Sequence, residues 1–397
     1  MKKVFNILTL VCFALGILIG LFRGDGSGIF ALIGSWYIKI LKLFIFPVIF
    51  SNISLTAYRS AHRRDGIVLR SVLCFVIMFT ASFLISSAIV TAMDPAAAYS
   101  GMDGSWEGST LKIGLIPFLL NLLPKNLSEI FINPKVFAVI IFAWLFGRIG
   151  AVFGKAEAVF VSVEKIRTSV SRLLEYFMYV TPLAVLCLMA DTVGRFGPDL
   201  LRLGLSYVLT AYLCSLAVMV LVMILPVWLL TGLSPLEYVK KLSGIWVMTV
   251  TTCSSAAVLP YTIKLCREDL KVPGEITDVV VSLGCTINMC GGAVAFSLLG
   301  LFCTKLYGIG MSFGLYVMML FAALLINMAA PGIPGGGIVV GASFLTMFGI
   351  PLGFIGLYGG IYKVLDMSYT PLNVTGDISA DLILQKYLSG KPGRTES

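Results

Sequence analysis

Long apolar segments dominate this chain and constrain its fold more than any other feature. Of its 397 residues, 58% are hydrophobic and only 12% are charged, whereas roughly a quarter of the residues of a typical soluble domain are charged. The apolar segments allow about eight membrane crossings. They occupy residues 4–22, 29–58, 67–93, 111–153, 173–194, 200–231, 274–307 and 355–384. We therefore expect an all-α polytopic membrane protein.

The distribution of basic residues predicts the orientation of the chain. A net charge of +9 would suggest nucleic-acid binding in a soluble protein, but here Lys and Arg cluster in short loops, as the positive-inside rule describes. We expect no nucleic-acid partner, an inner-membrane location among lipids, cytoplasmic N and C termini, and a first segment that is an anchor rather than a signal peptide. The basic clusters are 2–3, 59–64, 155–172, 240–241, 264–271 and 386–394.

Two further apolar segments, 246–264 and 312–351, are interrupted at their centres by small and helix-breaking residues. Irregular backbone at membrane depth survives only where it is buried in protein or lines a polar cavity. We therefore predict two re-entrant helical hairpins that enter from opposite faces, as inverted repeats with a site near the midplane. The alternative is that these residues form ordinary loops between short helices.

The last apolar segment carries charges that hydrocarbon would expel. At about 100° per residue, Asp366, Asn373 and Asp377 fall on one stripe of a helix. Two carboxylates and an amide on one face predict a bound cation or ammonium group. Lys363, one turn earlier, either titrates or pairs within the site or extends toward the interface with its aliphatic stem covered.

A third irregular stretch, 284–292, interrupts a long helix with small residues and Asn288. Unwinding there would expose carbonyl oxygens, which hard cations prefer as ligands. Taken singly, Asn288 also fits a structural hydrogen bond between helices.

Four motifs in order resemble one family, the dicarboxylate/amino acid:cation symporters, or glutamate transporter homologues. The resemblance spans the whole chain and is most specific from about 246 to 386. The motifs are Ser254-Ser255 with Leu259-Pro260, Thr286-Ile287-Asn288-Met289, Gly332-Ile333-Pro334-Gly335, and Asn373-Val374-Thr375-Gly376-Asp377.

The resemblance implies a substrate site between the two hairpin tips and the last helix. Asp366 would hold an α-amino group, while Asn373 and the Ser255 tip would bind an α-carboxylate. The residues carried over to substrate binding are Ser254, Ser255, Ile333, Pro334, Gly335, Asp366, Tyr369, Thr370 and Asn373.

The resemblance also implies Na⁺ as the coupling ion, with H⁺ possible instead or in addition. One sodium site would use Gly284, Asn288, Asn373 and Asp377. A second would use Thr286 and Met289 with carbonyls near Asn327, Met328 and Ala330. A third is in doubt, because Cys290 and Gly292 replace the carboxylate and the hydroxyl that the family associates with it.

Two departures bear on the substrate. Acidic-substrate members place an arginine where this chain has Tyr369, or at the position of Cys253 in the first hairpin. A second substrate carboxylate would lack its bidentate partner, so a neutral amino acid is favoured. The alternative is a proton-coupled or reduced-sodium dicarboxylate or glutamate-aspartate symporter.

The resemblance implies an elevator-type carrier that forms a homotrimer. Residues 1–199 would be mainly scaffold and oligomerisation helices, 200–386 mainly the transport domain, and 387–397 a cytoplasmic tail.

Three other classes of protein compete with a carrier. A serine hydrolase on Ser254 or Ser255 lacks a base, because the only histidine, His62, lies in a basic loop. A channel could also use glycine-rich re-entrant loops, but Asp366 beside a hairpin pair suits an occluded amino-acid site. A receptor would be expected to carry a sizeable soluble domain.

Overall fold

The computed structural model describes residues 2–23, 28–61, 66–97, 136–153, 156–196, 199–329 and 336–389. Within these ranges the regular structure is entirely helical. The helices are α1 Lys2–Arg23, α2 Gly28–Leu43, α3 Ile45–Ala61, α4 Ile67–Met93, α5 Val136–Val152, α6 Glu157–Met178, α7 Thr181–Phe196, α8 Asp199–Val218, α9 Leu225–Thr231, α10 Pro235–Thr252, α11 Ser255–Lys264, α12 Gly274–Ile287, α13 Cys290–Leu306, α14 Phe313–Ala329, α15 Gly336–Met347 and α16 Ile355–Ser389.

Three helical stretches of the described chain are long and apolar enough to cross a membrane: Ile67–Met93, Arg202–Thr231 and Gly274–Leu306. The second runs through α8 and α9, which a π-helical segment, Met219–Ile224, joins without a break. Four shorter apolar helices accompany them. The sequence also predicts a break around Pro124 to Pro134 within the 111–153 segment, and that stretch lies outside the described residues.

Two segments that we predicted as continuous apolar runs are broken in the structure. The 29–58 run is divided between α2 and α3 at Phe44, and the 173–194 run between α6 and α7. Pro47 and Pro182 lie in the first turns of α3 and α7. Proline has no N–H to donate and suits the start of a helix, which explains both breaks.

Helix α16 lies at the centre of the later half of the chain and packs against α10, α11, α12, α13 and α15. The Trp246 indole donates a hydrogen bond to Thr375 Oγ1 over 2.9 Å. The Tyr238 and Ser379 hydroxyls are also 2.9 Å apart. These bonds join α10 to α16 at two points, so the interrupted segment and the last helix share one core.

The earlier helices pack mainly among themselves, α1 against α7 and α3 against α5. Some of them also contact the later half of the chain; for example, α4 packs closely against α13 and α7 packs against α16. The first half therefore contributes a wall to the core that surrounds α16.

Candidate functional site

The first interrupted segment changes direction at Cys253 and Ser254, between α10 and α11. Cys253 adopts a left-handed conformation with φ 49°, and its N–H donates to Thr249 O over 2.8 Å. Ser254 Oγ accepts a hydrogen bond from the Ala257 N–H, so its side chain caps α11. Both serines are buried. Ser255 and Cys253 line a cavity beside α16.

The helical stretch between the two interrupted segments is broken at the predicted position. Asn288 and Met289 leave the helical conformation, with ψ angles of 83° and 77°, between the end of α12 and the start of α13. The backbone there contacts α16 closely, because a side chain at Gly291 would overlap the Tyr369 backbone. The Gly291 N–H donates to Asn373 Oδ1 over 2.8 Å.

Asp366, Thr370 and Asn373 follow one another along the face of α16 that lines the cavity. Thr370 Oγ1 donates to Asp366 Oδ1 over 3.0 Å, and Asp366 is buried. Tyr369 is also buried, and its hydroxyl has no hydrogen-bond partner within the described part of the chain. One wall of the cavity therefore offers a carboxylate, two hydroxyls and an amide.

Asp377 lies one turn beyond Asn373 and is 2% exposed. Asn288 Nδ2 donates to Asp377 Oδ1 over 3.1 Å. Gly284 lies so close to this carboxylate that an added Cβ would overlap it. The four residues predicted to form one sodium site are thus brought together where α12 and the break that follows it meet α16.

The donor set around Asp377 fits a hard cation. An ionised carboxylate at this depth needs a compensating positive charge. Its partner among the described side chains is the neutral amide of Asn288. Amide and backbone oxygens of Asn373 and Gly284 lie alongside, and oxygen ligands of this kind suit Na⁺. No cluster of three or more His, Cys, Asp or Glu side chains that could hold a metal occurs in the described ranges.

The second predicted set of cation ligands is only partly described. Met289 and Asn327 line the cavity, and Met328 is partly buried. The Thr286 hydroxyl donates back to Leu283 O over 2.9 Å, within its own helix. Ala330, Ile333, Pro334 and Gly335, which we predicted to lie at a second hairpin tip, are outside the described residues.

Asn327 occupies the space left by Gly292. Its Oδ1 lies where a side chain at position 292 would begin, it is buried, and it lacks a hydrogen-bond partner in the described chain. Its Nδ2 donates to Ile287 O over 3.5 Å. An oxygen from α14 therefore stands near the position at which the family motif would carry a hydroxyl.

Sequence reasoning missed two tyrosines of the cavity wall, Tyr358 and Tyr362. They precede Asp366 by eight and four residues, so the helical stripe could have identified them. Gly337 also lines the cavity, and the Tyr362 hydroxyl occupies the space that a side chain at Gly337 would need. No sequence pattern signals that contact.

Lys363 is partly buried on α16. It interacts electrostatically with the Cys253 thiol, as does Asp366. The structure therefore brings a basic side chain to Cys253, where the carboxylate of the predicted amino-group site also lies.

Comparisons with known proteins agree with this architecture. The sodium:dicarboxylate symporter family matches residues 5–387. A proton/glutamate-aspartate symporter of Bacillus subtilis (strain 168) is 25% identical over 98% of this chain and 95% of its own length. A C4-dicarboxylate transport protein of Serratia proteamaculans (strain 568) has the same identity and coverage. An L-cystine uptake protein of Bacillus thuringiensis (strain Al Hakam) is 26% identical over 90% of this chain and 82% of its own.

A match over nearly the whole length makes this protein an integral membrane carrier and not an enzyme. The chain belongs to the sodium:dicarboxylate symporter family.

Proposed function

We propose that this protein is a cation-coupled symporter that carries an amino acid with an uncharged side chain across the cytoplasmic membrane. The observation that carries the proposal is the pairing on α16 of Asp366, which lines the cavity, with Asp377, which faces the break between α12 and α13. The first suits an ammonium group and the second a metal cation. A carrier that couples the two needs both.

The preference for an uncharged substrate rests on the cavity wall. The described residues that line it include Cys253 and Tyr369 but no arginine. A second substrate carboxylate would lose its hydration without gaining a bidentate partner. The unpartnered Tyr369 hydroxyl would instead hydrogen-bond a polar, neutral side chain.

In this proposal Asp366 binds the substrate's amino group, while Asn373, Thr370 and the Ser255 tip bind its α-carboxylate. Na⁺ bound at Asp377 neutralises the Asp377 carboxylate before the transport domain, residues 200–386, moves. The second cation set, around Met289 and Asn327, links the cation to closure of the outer hairpin. Ile333, Pro334, Gly335 and Ala330 are the further residues that the family resemblance assigns to these sites.

The proposed carrier has about eight transmembrane helices and two re-entrant hairpins. Residues 200–386 move as an elevator against a scaffold built mainly from 1–199, in a homotrimer surrounded by lipid. Both termini and the tail at 387–397 face the cytoplasm. The packing of α10 to α13 and α15 around α16 supports a single moving unit.

The test is uptake into proteoliposomes by the purified full-length protein. A labelled amino-acid mixture is supplied with an inward Na⁺ gradient, an inward proton gradient, or choline at fixed pH. Sodium-driven accumulation of neutral amino acids is the expected result. Equilibration without accumulation would identify a channel and overturn the proposal.

A second candidate, a proton-coupled carrier of acidic substrates, is favoured by one observation: Lys363 supplies a cation next to Cys253. It would then replace the missing arginine. This candidate predicts that Lys363→Met abolishes aspartate or dicarboxylate uptake and changes its pH dependence. Lys264→Met, at an exposed lysine, is the matched control. Unchanged rate and pH dependence in Lys363→Met would eliminate the candidate.

A further inference from the structure

A second buried carboxylate, Asp381, lies one turn beyond Asp377 on α16. Its exposed fraction is 0%. Thr277 Oγ1, from the first turn of α12, donates to Asp381 Oδ2 over 2.8 Å. Asp381 Oδ1 is buried and has no hydrogen-bond partner among the described residues. The two oxygens of one carboxyl group are therefore treated differently by their surroundings.

The groups that face Asp381 include no cation in the described part of the chain. Next to α11, the Cys266 thiol lies beside the carboxyl as a potential weak S–H donor to it. From α10, Tyr238 lies near it, with its hydroxyl paired to Ser379. From α12 and α16 come Asp278 and Asp377, both carboxyl groups. Asp278 forms its own ion pair with Arg267 on the surface.

We propose that Asp381 is a proton-binding site, with the proton on Oδ1 in the arrangement described here. A fully buried carboxylate that has no cationic partner among the described residues is strongly disfavoured in its ionised form. A neutral acid needs a donor only at its carbonyl oxygen, and Oδ2 receives one from Thr277. The oxygen that receives none is the one that carries the proton.

The same site allows the proton to leave. The Thr277 hydroxyl stabilises the ionised form, and so does the N-terminal end of α12, where Thr277 lies. One turn further along α16, the partly exposed Gln385 side chain donates to Lys271 O in a solvent-exposed hydrogen bond. Asp381 is thus about one helical turn from the surface of the basic segment 264–271. Dissociation breaks the Oδ1–H bond, leaves the electron pair on the carboxylate, and passes the proton to water at that face.

This inference rests on the proposed carrier function, since a proton bound at Asp381 would be carried with the substrate. It assigns a coupling proton to a residue that none of the four family motifs includes. Sodium at Asp377 and a proton at Asp381 would then each neutralise one carboxyl of α16 before the domain crosses the membrane.

The first test is infrared difference spectroscopy on the purified full-length protein, because it needs no transported substrate. A buried protonated carboxyl gives a C=O stretching band. With saturating Na⁺ present, so that Asp377 stays ionised, we expect a component of this band at low pH that disappears as pH rises and is absent in Asp381→Asn. Asp269→Asn, at an exposed acid of the same face, is the control and should retain it. A wild-type protein without the band, or with a band that persists at every pH tolerated, would overturn the inference.

The second test measures proton movement with substrate in proteoliposomes. Asp381→Asn should retain substrate exchange but lose substrate-dependent proton flux. Its uptake rate should also lose the dependence on pH, which for a single coupling proton is about tenfold per pH unit. Thr277→Val should keep flux and move the midpoint of the pH profile upward, because the ionised form loses a hydrogen bond. A shift in sodium affinity with unchanged proton flux would instead identify Asp381 as a metal ligand. Wild-type uptake without proton movement would overturn the inference and leave the carrier function standing.

Discussion

Two membrane-length stretches of this protein differ in a way that composition alone does not reveal. In Arg202–Thr231, 33% of the most apolar window is buried inside the protein, and in Gly274–Leu306 the share is 78%. The buried stretch is the less apolar of the two. A helix that faces lipid needs apolar side chains, whereas one enclosed by protein can carry the polar groups that bind ions. The polar residues are therefore concentrated in the stretch that protein encloses.

The largest expected difference between the two stretches comes from the same substitution made in each. Gly284→Ala should lower cation affinity by about 10- to 100-fold, because the added Cβ overlaps the Asp377 carboxylate. Gly204→Ala should change the same cation affinity by no more than about 0.5 kcal/mol. Its Cβ would meet only the flexible end of the Leu357 side chain, at 3.3 Å. Sodium titration of substrate binding measures both. Equal losses would show that the comparison is wrong.

The Gly292–Asn327 contact gives the next largest effect. Gly292→Thr should cost about 1–3 kcal/mol of stability through overpacking, because Asn327 Oδ1 already fills that space. Adding Asn327→Ser should restore the wild-type value, with a coupling energy of about 0.5–3 kcal/mol between the sites. Thermal unfolding of the single and double variants in detergent measures the cycle.

Gly244→Thr is the control for that cycle, since a side chain at Gly244 meets nothing within 4 Å. Additive effects of the substitutions at positions 292 and 327 would show that the two side chains are not in contact. Asn327 would then no longer be assigned to the cavity wall.

A smaller effect is expected from two buried tyrosines, each with an unpartnered hydroxyl in the described structure. Tyr369→Phe should weaken substrate binding by up to about tenfold, the value of one neutral hydrogen bond. Tyr207→Phe, at a buried position of the Arg202–Thr231 stretch, should leave substrate affinity unchanged. Competition binding with a panel of neutral amino acids tests both. If Tyr369→Phe binds polar substrates as tightly as wild type does, the Tyr369 hydroxyl is not part of the substrate site.

The smallest effect is expected at the charged cluster of α3 and α6. Arg59 pairs with Glu164 over 2.8 Å, and Arg167 pairs with the same carboxylate. Partial burial raises the pKa of Glu164, but the hydrogen bonds and charges of Arg167 and Arg59 outweigh it, so the net pKa is lowered. Glu164→Gln should cost less than about 1 kcal/mol because these side chains are partly exposed.

The pH dependence of that loss follows from the lowered pKa. The stabilisation by Glu164 is present above its ordinary pKa of about 4.3 and disappears as pH falls through the lower folded-state value. Unfolding of wild type and Glu164→Gln should therefore converge in acid. A difference that grows as pH falls would contradict the assignment.

The sequence allowed much of the backbone plan to be predicted. The breaks at Cys253-Ser254 and at Asn288-Met289 fell where small residues interrupt apolar runs, and α16 carried its polar stripe as expected. The divisions of 29–58 and 173–194 were not predicted, although Pro47 and Pro182 marked them. Apolar content conceals such breaks, because a long hydrophobic run satisfies the length criterion whether or not its helix is continuous.

The contacts between distant elements could not be predicted in this way. Local spacing places Asp366, Asn373 and Asp377 on one face, and Asp381 close to it, because helical geometry is set by neighbouring residues. It does not indicate that Thr277 reaches one oxygen of Asp381 and leaves the other bare, or that Asn327 fills the space above Gly292. The sequence by itself determined the membrane class, the helix breaks and the polar stripe. Only the tertiary structure decided which buried polar atoms are satisfied, since that depends on packing between segments far apart in the chain.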